Sequence, residues 1–242
     1  MIIIPAIDIK QGRCVRLLQG EMDKETVFSD DPSAMAVRWQ SEGAALLHVV
    51  DLDGAVEKRP GNLDAIRRIV KKITIPVQVG GGIRDEATIA MYFDLGVQRV
   101  VIGSEAVNNP ALVENACRLW PGRIVVGIDS RKGMVAIEGW TQTTDVSAIQ
   151  LGKQFEDAGV AAINFTDIER DGMRSGPNIE ETRRLAKAVN IDVVASGGVS
   201  TIEDIKNLAP LEADGVVGII TGRALYDGSL DLKTALSWLE NR

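Results

Sequence analysis

The sequence predicts a single α/β domain: a (β/α)8 TIM barrel, in which eight parallel strands close on themselves and a helix follows each strand. Three observations predict this fold. Short apolar runs alternate with longer segments of helical period along all 242 residues, which is typical of a parallel sheet covered by helices. Eight such units fill the chain, as a closed barrel requires. The chain also repeats itself at about half its length.

The predicted strands are built from Ile, Val, Leu and Ala, and only 4% of the residues are aromatic, a composition typical of buried parallel strands. We predict strands at 2–8, 46–51, 77–79, 99–102, 124–129, 161–166, 193–195 and 216–220. We predict helices at 32–42, 62–72, 85–95, 110–119, 146–158, 178–189, 201–208 and 230–240. Pro32 and Pro110 suit a first helical turn. Gly43, Gly96 and Gly159 suit the left-handed residue after a helix.

The internal repeat joins four pairs of matching segments, shifted by 116 to 121 residues. The matching pairs are Asp8 and Asp129, segments 43–52 and 159–168, Gly81-Gly82 and Gly197-Gly198, and Gly103 and Gly222. We interpret them as two homologous half-barrels, about residues 1–121 and 122–242, within one domain over residues 1–242. A doubly wound open sheet is the alternative fold, but it explains the repeat less simply.

Composition excludes several classes of function. The net charge is −7 and long basic runs are absent, so we expect no nucleic-acid partner. No apolar run approaches the roughly 18 residues of a membrane span, and no cationic stretch precedes the first strand, so we expect neither a membrane nor a signal peptide. Cys14 and Cys117 lack metal-site spacing. We expect a cytoplasmic monomer.

Two aspartates occupy equivalent strand ends. In a barrel of this kind, functional residues lie at the C-terminal ends of the strands. Asp8 ends the first strand and Asp129 the fifth, so we expect them to face each other across the barrel mouth as catalytic acid and base. Asp51 and Asp167 are also equivalent, but they precede long loops, and we expect them to order those loops by accepting backbone N–H bonds.

Glycine-rich turns form the second signal. Backbone N–H groups at such turns can bind phosphate, and a paired site after strands seven and eight is common in these barrels. The predicted phosphate-binding residues are Gly81, Gly82, Gly103 and Ser104, here called the first cradle, and Gly197, Gly198, Gly222 and Arg223, here called the second cradle. Arg84 and Ser196 are predicted substrate contacts beside them. Two cradles indicate a small molecule with a phosphate at each end.

Two segments, 9–31 and 131–144, are predicted to be long loops. Trp140, in the second, could stack on a heteroaromatic ring or plug the top of the barrel. Thr166 precedes Asp167 and should point into the mouth. Asp171 is either part of a turn or an acid delivered on loop closure. The single histidine, His48, lies inside a strand and is expected to be packed. We therefore predict carboxylate chemistry with no metal and no organic cofactor.

The motifs PAID, HVVDLDGA, QVGGGIR, GIDSRKG followed by GW, TDIERDGMRSGPN, ASGGVS and GRALY occur in this order along the whole chain. Together they resemble the phosphoribosylformimino-5-aminoimidazole carboxamide ribotide isomerases of histidine biosynthesis. The resemblance implies a barrel of two half-barrels and an Amadori rearrangement of a bisphosphorylated aminoaldose to an aminoketose, an intramolecular oxidoreduction.

The resemblance also implies roles for single residues. Asp8 would accept the C2 proton and Asp129 would help to open the ribose ring, with Asp171 as a rival acid. Thr166 and Trp140 would contact the substrate. Three alternatives stay open: a bifunctional isomerase that also accepts phosphoribosyl anthranilate, the sister cyclase of imidazole glycerol phosphate synthesis, and a phosphate-binding barrel without catalysis. Both aspartates argue against the last, because a binding module for anions has no need of two carboxylates.

Overall fold

Eight parallel strands close into a barrel in the computed structural model of the protein, which describes residues 1–18, 20–173 and 175–242. The strands are β1 (Ile2–Lys10), β2 (Arg13–Leu18), β3 (Glu21–Ser29), β4 (Leu47–Asp51), β5 (Val77–Gly80), β6 (Arg99–Ile102), β7 (Ile124–Arg131), β8 (Met134–Ile137), β9 (Gln142–Ser147), β10 (Ala162–Asp167), β11 (Val193–Ser196) and β12 (Val216–Thr221). Parallel pairing runs β1-β4-β5-β6-β7-β10-β11-β12 and returns to β1. The predicted barrel is confirmed.

Helices cover the outside of the barrel. They are α1 (Pro32–Ser41), α2 (Leu52–Glu57), α3 (Leu63–Lys72), α4 (Glu86–Asp94), α5 (Ser104–Asn108), α6 (Pro110–Leu119), α7 (Ala148–Gln154), α8 (Ile179–Ala188), α9 (Ile202–Leu208), α10 (Arg223–Asp227) and α11 (Leu232–Glu240), with a 3-10 turn at Ala209–Asp214. Each predicted helix is present; the largest difference is that α7 ends at Gln154 rather than at residue 158. Within the described ranges, no helix has the length and apolar character needed to cross a membrane.

Strand β1 shows how the barrel points its side chains. Successive residues of a strand face opposite sides. Ile3 and Ile7 accordingly pack in the large core between strands and helices, whereas Ile4 and Ala6 pack in a small core inside the barrel. Asp8 continues the inner series, two residues beyond Ala6, and so lies on the inner face at the carboxyl end of the strand.

The prediction of long loops at 9–31 and 131–144 is wrong, because each segment folds as a β-hairpin. Strand β2 pairs antiparallel with β1 and β3, and β8 pairs antiparallel with β7 and β9. The turns Gln11-Gly12 and Lys132-Gly133 have positive φ at both residues, 50° and 75° in the first and 51° and 81° in the second. That conformation matches the two-residue type I′ turns that join antiparallel strands.

The two halves of the chain repeat these features in the same order, since β1 and β7 each carry a hairpin and β6 and β12 are each followed by a short helix. The contacts repeat as well. A Cβ on Gly81 would overlap the carbonyl oxygen of Asp51, and one on Gly197 would approach that of Asp167 to 2.6 Å. The homologous origin of the half-barrels and their boundary remain predictions.

Asp51 ties the loop after β4 to the barrel, as its position at a strand end predicts. Its side chain is fully buried. One carboxylate oxygen accepts from Gly54 N at 2.8 Å and from Asn62 Nδ2 at 2.7 Å, and the other accepts from Gly61 N at 2.7 Å and from Asn62 N at 2.9 Å. Asp167 accepts from Glu169 N at 2.9 Å. Both aspartates therefore have the expected structural contacts.

Replacing Asp51 by Ala should destabilise the barrel, because several buried N–H groups lose their acceptor. We expect the free energy of unfolding in urea to fall by about 2–4 kcal/mol. The control is Asp64→Ala, whose side chain is 82% exposed and whose effect should stay within about 0.5 kcal/mol. Equal midpoints of urea unfolding for Asp51→Ala and Asp64→Ala would contradict the structural role assigned to Asp51.

Candidate active site

One cavity of about 890 Å³ lies at the C-terminal ends of the barrel strands. The structure brings every predicted site residue to its wall. These residues are Asp8, Gly81, Gly82, Arg84, Gly103, Ser104, Asp129, Trp140, Thr166, Asp171, Ser196, Gly197, Gly198, Gly222 and Arg223. A cavity of this size at the strand ends, where charged and polar side chains converge, is typical of a small-molecule site in a barrel.

Asp8 is paired with an arginine that the sequence did not indicate. Arg16, on β2, donates from NH1 to Asp8 Oδ2 at 2.7 Å and from NH2 to the Ala6 carbonyl oxygen. The guanidinium also lies 5.4 Å from the centre of the Tyr226 ring, and the Tyr226 hydroxyl donates to Ala6 O at 3.1 Å. Burial raises the pKa of Asp8, and the charge and hydrogen bond of Arg16 oppose that rise.

Asp129 has neutral neighbours instead. The indole of Trp140 donates from Nε1 to Asp129 Oδ2 at 2.8 Å, and Thr166, which is opposite Asp129 in the β7–β10 register, also hydrogen-bonds to it. Burial raises the pKa of Asp129, and these two hydrogen bonds oppose it. A carboxyl in such surroundings retains its proton more readily than one beside a cation.

Trp140 packs across the barrel mouth, and its stacking on a substrate ring stays a prediction. Its φ is 71°, at the turn between β8 and β9, and its indole packs on the turn of the other hairpin. A Cβ on Gly20 would overlap the Trp140 ring, so the two hairpins touch across the mouth at a position where only glycine fits.

Asp171 completes the group of acids. It lies in the turn that follows β10, where its N–H donates to Asp167 O at 3.2 Å. Burial raises its pKa to about 6, Arg16 opposes this rise, and the neighbouring charges of Asp8 and Asp129 add to it. Asp171 thus lies in a turn at the cavity wall, and its role as an acid stays a prediction.

The first cradle already holds protein groups. Gly103 is open, since no atom lies within 4 Å of the position its Cβ would take. Ser104 Oγ accepts from Glu138 N at 3.0 Å. Arg84 donates to Glu105 Oε1 at 2.6 Å and to Glu138 Oε1 at 3.1 Å. The predicted substrate contact Arg84 thus lies at the cavity wall between two carboxylates.

The second cradle is lined by arginine. A Cβ on Gly222 would overlap the Arg16 guanidinium, and Arg223 NH1 donates to Gly172 O at 3.2 Å. Gly198 packs on the preceding loop, because a Cβ there would overlap the Gly176 carbonyl oxygen. The phosphate-binding roles of both cradles stay predictions, while the close packing explains why Gly198 must be glycine.

Arg16 and Glu138 are the site residues that sequence reasoning missed. Both lie in the hairpins formed by the two segments that the sequence predicts to be loops. The two-residue turns with glycine at 11–12 and 132–133 are a hairpin signal that could have predicted these hairpins, with Arg16 on β2 and Glu138 directly after β8.

His48 is packed in the wall of the cavity, as expected. Its Nδ1 lies 3.2 Å from Gln78 Nε2. Burial and the charge of Arg16 lower its pKa to about 4, so the imidazole is neutral at physiological pH. Among the described residues, no three His, Cys, Asp or Glu side chains are grouped so that they could hold a metal ion.

Comparison with known proteins points to one family. A family model described as "Histidine biosynthesis protein" matches residues 2–231. A protein of Desulfatibacillum aliphaticivorans is 64% identical over 237 residues, which cover 98% of this chain and 95% of the relative. One of Desulfosudis oleivorans is 64% identical over 98% of this chain and 94% of its own, and one of Trichlorobacter lovleyi is 60% identical over 98% and 96%. All three are named 1-(5-phosphoribosyl)-5-((5-phosphoribosylamino)methylideneamino)imidazole-4-carboxamide isomerase.

Proposed function

The chain belongs to the histidine biosynthesis protein family and is an aldose–ketose isomerase, and we propose how the residues of its barrel mouth carry out that reaction. The observation that carries the proposal is the placement of Asp8 and Asp129 on one cavity at equivalent strand ends, one beside a cation and the other beside neutral donors. The relatives' name contains two phosphoribosyl groups, and the mouth contains two cradles. We propose a substrate with a phosphate at each end.

The acid acts first in the proposed mechanism. A protonated carboxyl, Asp129 in our assignment, gives its proton to the ribose ring oxygen. The bond between C1 and that oxygen breaks as the amine nitrogen forms a double bond to C1. Burial raises the pKa of Asp129, which favours the protonated form that a general acid needs.

The base acts next. Asp8 removes the proton from C2, and the electrons of that C–H bond form a C1–C2 double bond while the C1–N double bond becomes single. The resulting enol converts to the ketone at C2, and C1 receives a proton, so that no atom is gained or lost. Arg16 holds one oxygen of Asp8 at 2.7 Å and thereby fixes the orientation of the base.

The two cradles would place the reacting carbon between these carboxylates. Substrate phosphates at both ends restrict the sliding and rotation of the sugar, which favours a reactive geometry. Trp140 and Thr166 contact Asp129 directly and would border the ribose. Arg84, Ser196 and Arg223 would complete the polar wall.

We also propose that the protein works as a cytoplasmic monomer without metal or organic cofactor. The named relatives do not favour the cyclase or the bifunctional alternative. Turnover of the bisphosphorylated aminoaldose, measured beside phosphoribosyl anthranilate and the cyclase substrate, tests the proposal. Conversion of the aminoaldose to the aminoketose is the expected result, and turnover of the cyclase substrate alone would refute it.

Asp8→Asn should remove the base while keeping a side chain of the same shape. We expect kcat to fall by roughly 10² to 10⁴, the usual contribution of general base catalysis. Asp64→Asn, on the exposed face of α3, is the control for a lost carboxylate and should leave kcat unchanged. Near-native turnover by Asp8→Asn would show that another group takes the C2 proton.

The identity of the acid is decided by comparing Asp129→Asn with Asp171→Asn. We expect Asp129→Asn to be the more damaging, because a strand end held by two hydrogen bonds is better ordered than a turn. The pH dependence separates the two. A proton held by Asp171 is present below its pKa of about 6 and lost above it, so an activity that needs this proton declines as pH rises through 6. If this decline of activity above pH 6 is absent in Asp171→Asn while Asp129→Asn remains active, Asp171 and not Asp129 is the general acid.

The cradles should respond differently to an added methyl group. Gly103→Ala places a Cβ in the open space of the first cradle, where the substrate phosphate is proposed to bind. We therefore expect KM to rise roughly tenfold, equivalent to about 1.4 kcal/mol, with little change in kcat. Gly222→Ala must push Arg16 away, and because Arg16 holds Asp8, both KM and kcat should worsen. Steady-state kinetics separates these patterns; a purely KM effect of Gly222→Ala would argue against the Arg16 link.

A further inference from the structure

Two side chains between β4 and α3 hold the turn that joins β1 to β2. The N–H of Gly12 donates to Asn62 Oδ1 at 2.8 Å, and the N–H of Gln11 donates to Asp53 Oδ2 at 2.6 Å. Asn62 Nδ2 donates to Asp53 Oδ2 and to Asp51 Oδ1, both at 2.7 Å. Asp53 and Asn62, here called the turn anchor, therefore connect the turn to the buried carboxylate of Asp51.

Asn62 lies at the N-cap of α3, where an asparagine side chain ordinarily accepts from an N–H group of its own helix. Within the part of the chain that the structure describes, Asn62 caps no N–H group of α3, and its oxygen accepts from the turn instead. The equivalent residue of the second half, Asn178, is 116 residues further along and accepts from Glu181 N of its own helix at 3.2 Å. The first half therefore uses this asparagine to hold the turn, where the second half uses it to cap a helix.

Strand β2 continues from this turn and carries Arg16. It pairs antiparallel with β1 from Lys10 and Arg13, beside the turn, to Asp8 and Val15. Arg16 follows directly and donates to Asp8 Oδ2 at 2.7 Å. Strand β1 is fixed between β4 and β12 in the barrel wall, whereas β2 lies outside the closed ring, between β1 and β3. The position of the turn therefore influences how β2 places the guanidinium on the carboxylate.

We propose that Asp53 and Asn62 are positioning residues for the isomerase reaction: by holding the turn, they keep β2 in place and Arg16 on the carboxylate of Asp8. Neither belongs to the described residues that line the cavity, so both act through Arg16 and not on the substrate. The proposal rests on the proposed function, since it takes Asp8 as the base. Without the anchor, two turn N–H groups lose their acceptors, β2 opens more readily, and the guanidinium leaves the carboxylate in a larger fraction of molecules.

Cysteine labelling tests the hold on β2 without turnover. Cys14, on β2, is 1% exposed, and Cys117, on α6, is 4% exposed, so each reacts with iodoacetamide only when its surroundings open. Mass spectrometry reads both thiols in the same molecule. We expect Asn62→Ala to raise the labelling rate of Cys14 about tenfold relative to that of Cys117, because β2 opens locally. A rise of equal size at both thiols would show a general loss of stability and would contradict the proposal.

The two Asp53 variants decide the same question with a milder change, since they leave the contacts of Asn62 to Asp51 in place. Asp53→Ala should also favour labelling of Cys14, whereas Asp53→Asn retains an oxygen acceptor for the turn and should behave as the native chain does. Asp231→Ala, which removes the N-cap contact to Thr234 N at 2.8 Å on α11, is the control for a lost helix cap and should leave the ratio of the two rates unchanged. Equal ratios for Asp53→Ala and Asp53→Asn would overturn the proposal.

Kinetics gives the second readout. We expect Asp53→Ala to lower kcat for the aminoaldose roughly threefold to tenfold, because a misplaced base loses rate, and Asp53→Asn to restore it. In an Arg16→Met background, Asp53→Ala should change kcat less than about twofold, since both substitutions act on one link. The same fold-loss in both backgrounds would exclude action through Arg16. If the native chain turned over no aminoaldose at all, the proposed function would fail, while the labelling of Cys14 would still show whether the anchor holds β2.

Discussion

Two buried carboxylates that face away from the chemistry set the shape of the barrel mouth. Asp51 and Asp167 end equivalent strands, are almost fully buried, and accept N–H bonds from the loops that follow them. Because those loops are fixed, the turns at Gly81 and Gly197 can pack directly on the aspartate backbone. These backbone contacts position Gly81 in the first cradle and Gly197 in the second cradle.

Much of this architecture follows from local sequence patterns. Short apolar runs and helical segments alternate eight times, and the observed strand bounds differ from the predicted ones by only a few residues, as in β1, which continues to Lys10. Strand ends then locate the candidate acids, because the C-terminal edge of a parallel barrel is one continuous rim. The side chains of Asp8 and Asp129 needed only the two-residue period of a strand to be placed on the inner face.

The contacts that cross between the halves could not be predicted in this way. Lys58 and Glu138 are 80 residues apart and meet at 2.6 Å, while Gly20 and Trp140 touch from opposite hairpins. Nothing in the local pattern of either segment encodes its partner. Arg84 is an example: its position after a glycine turn predicts a phosphate contact, yet two glutamates pair with its guanidinium. A phosphate bound there would have to compete with both glutamates.

The chemistry of the site depends on a local difference within a repeated scaffold. Asp8 and Asp129 lie at equivalent positions, and burial raises the pKa of each. The first hairpin brings Arg16 to Asp8, however, whereas the second brings the neutral indole of Trp140 to Asp129. A cation stabilises the carboxylate form and a neutral donor does so less, which supports the proposed roles of Asp8 as base and Asp129 as acid. Two copies of one half-barrel with the same hairpin residue would hold two carboxyls of equal pKa, and neither proton transfer would have a preferred direction. The hairpins, which differ more in sequence than the strands beneath them, therefore supply the asymmetry that an acid–base pair requires.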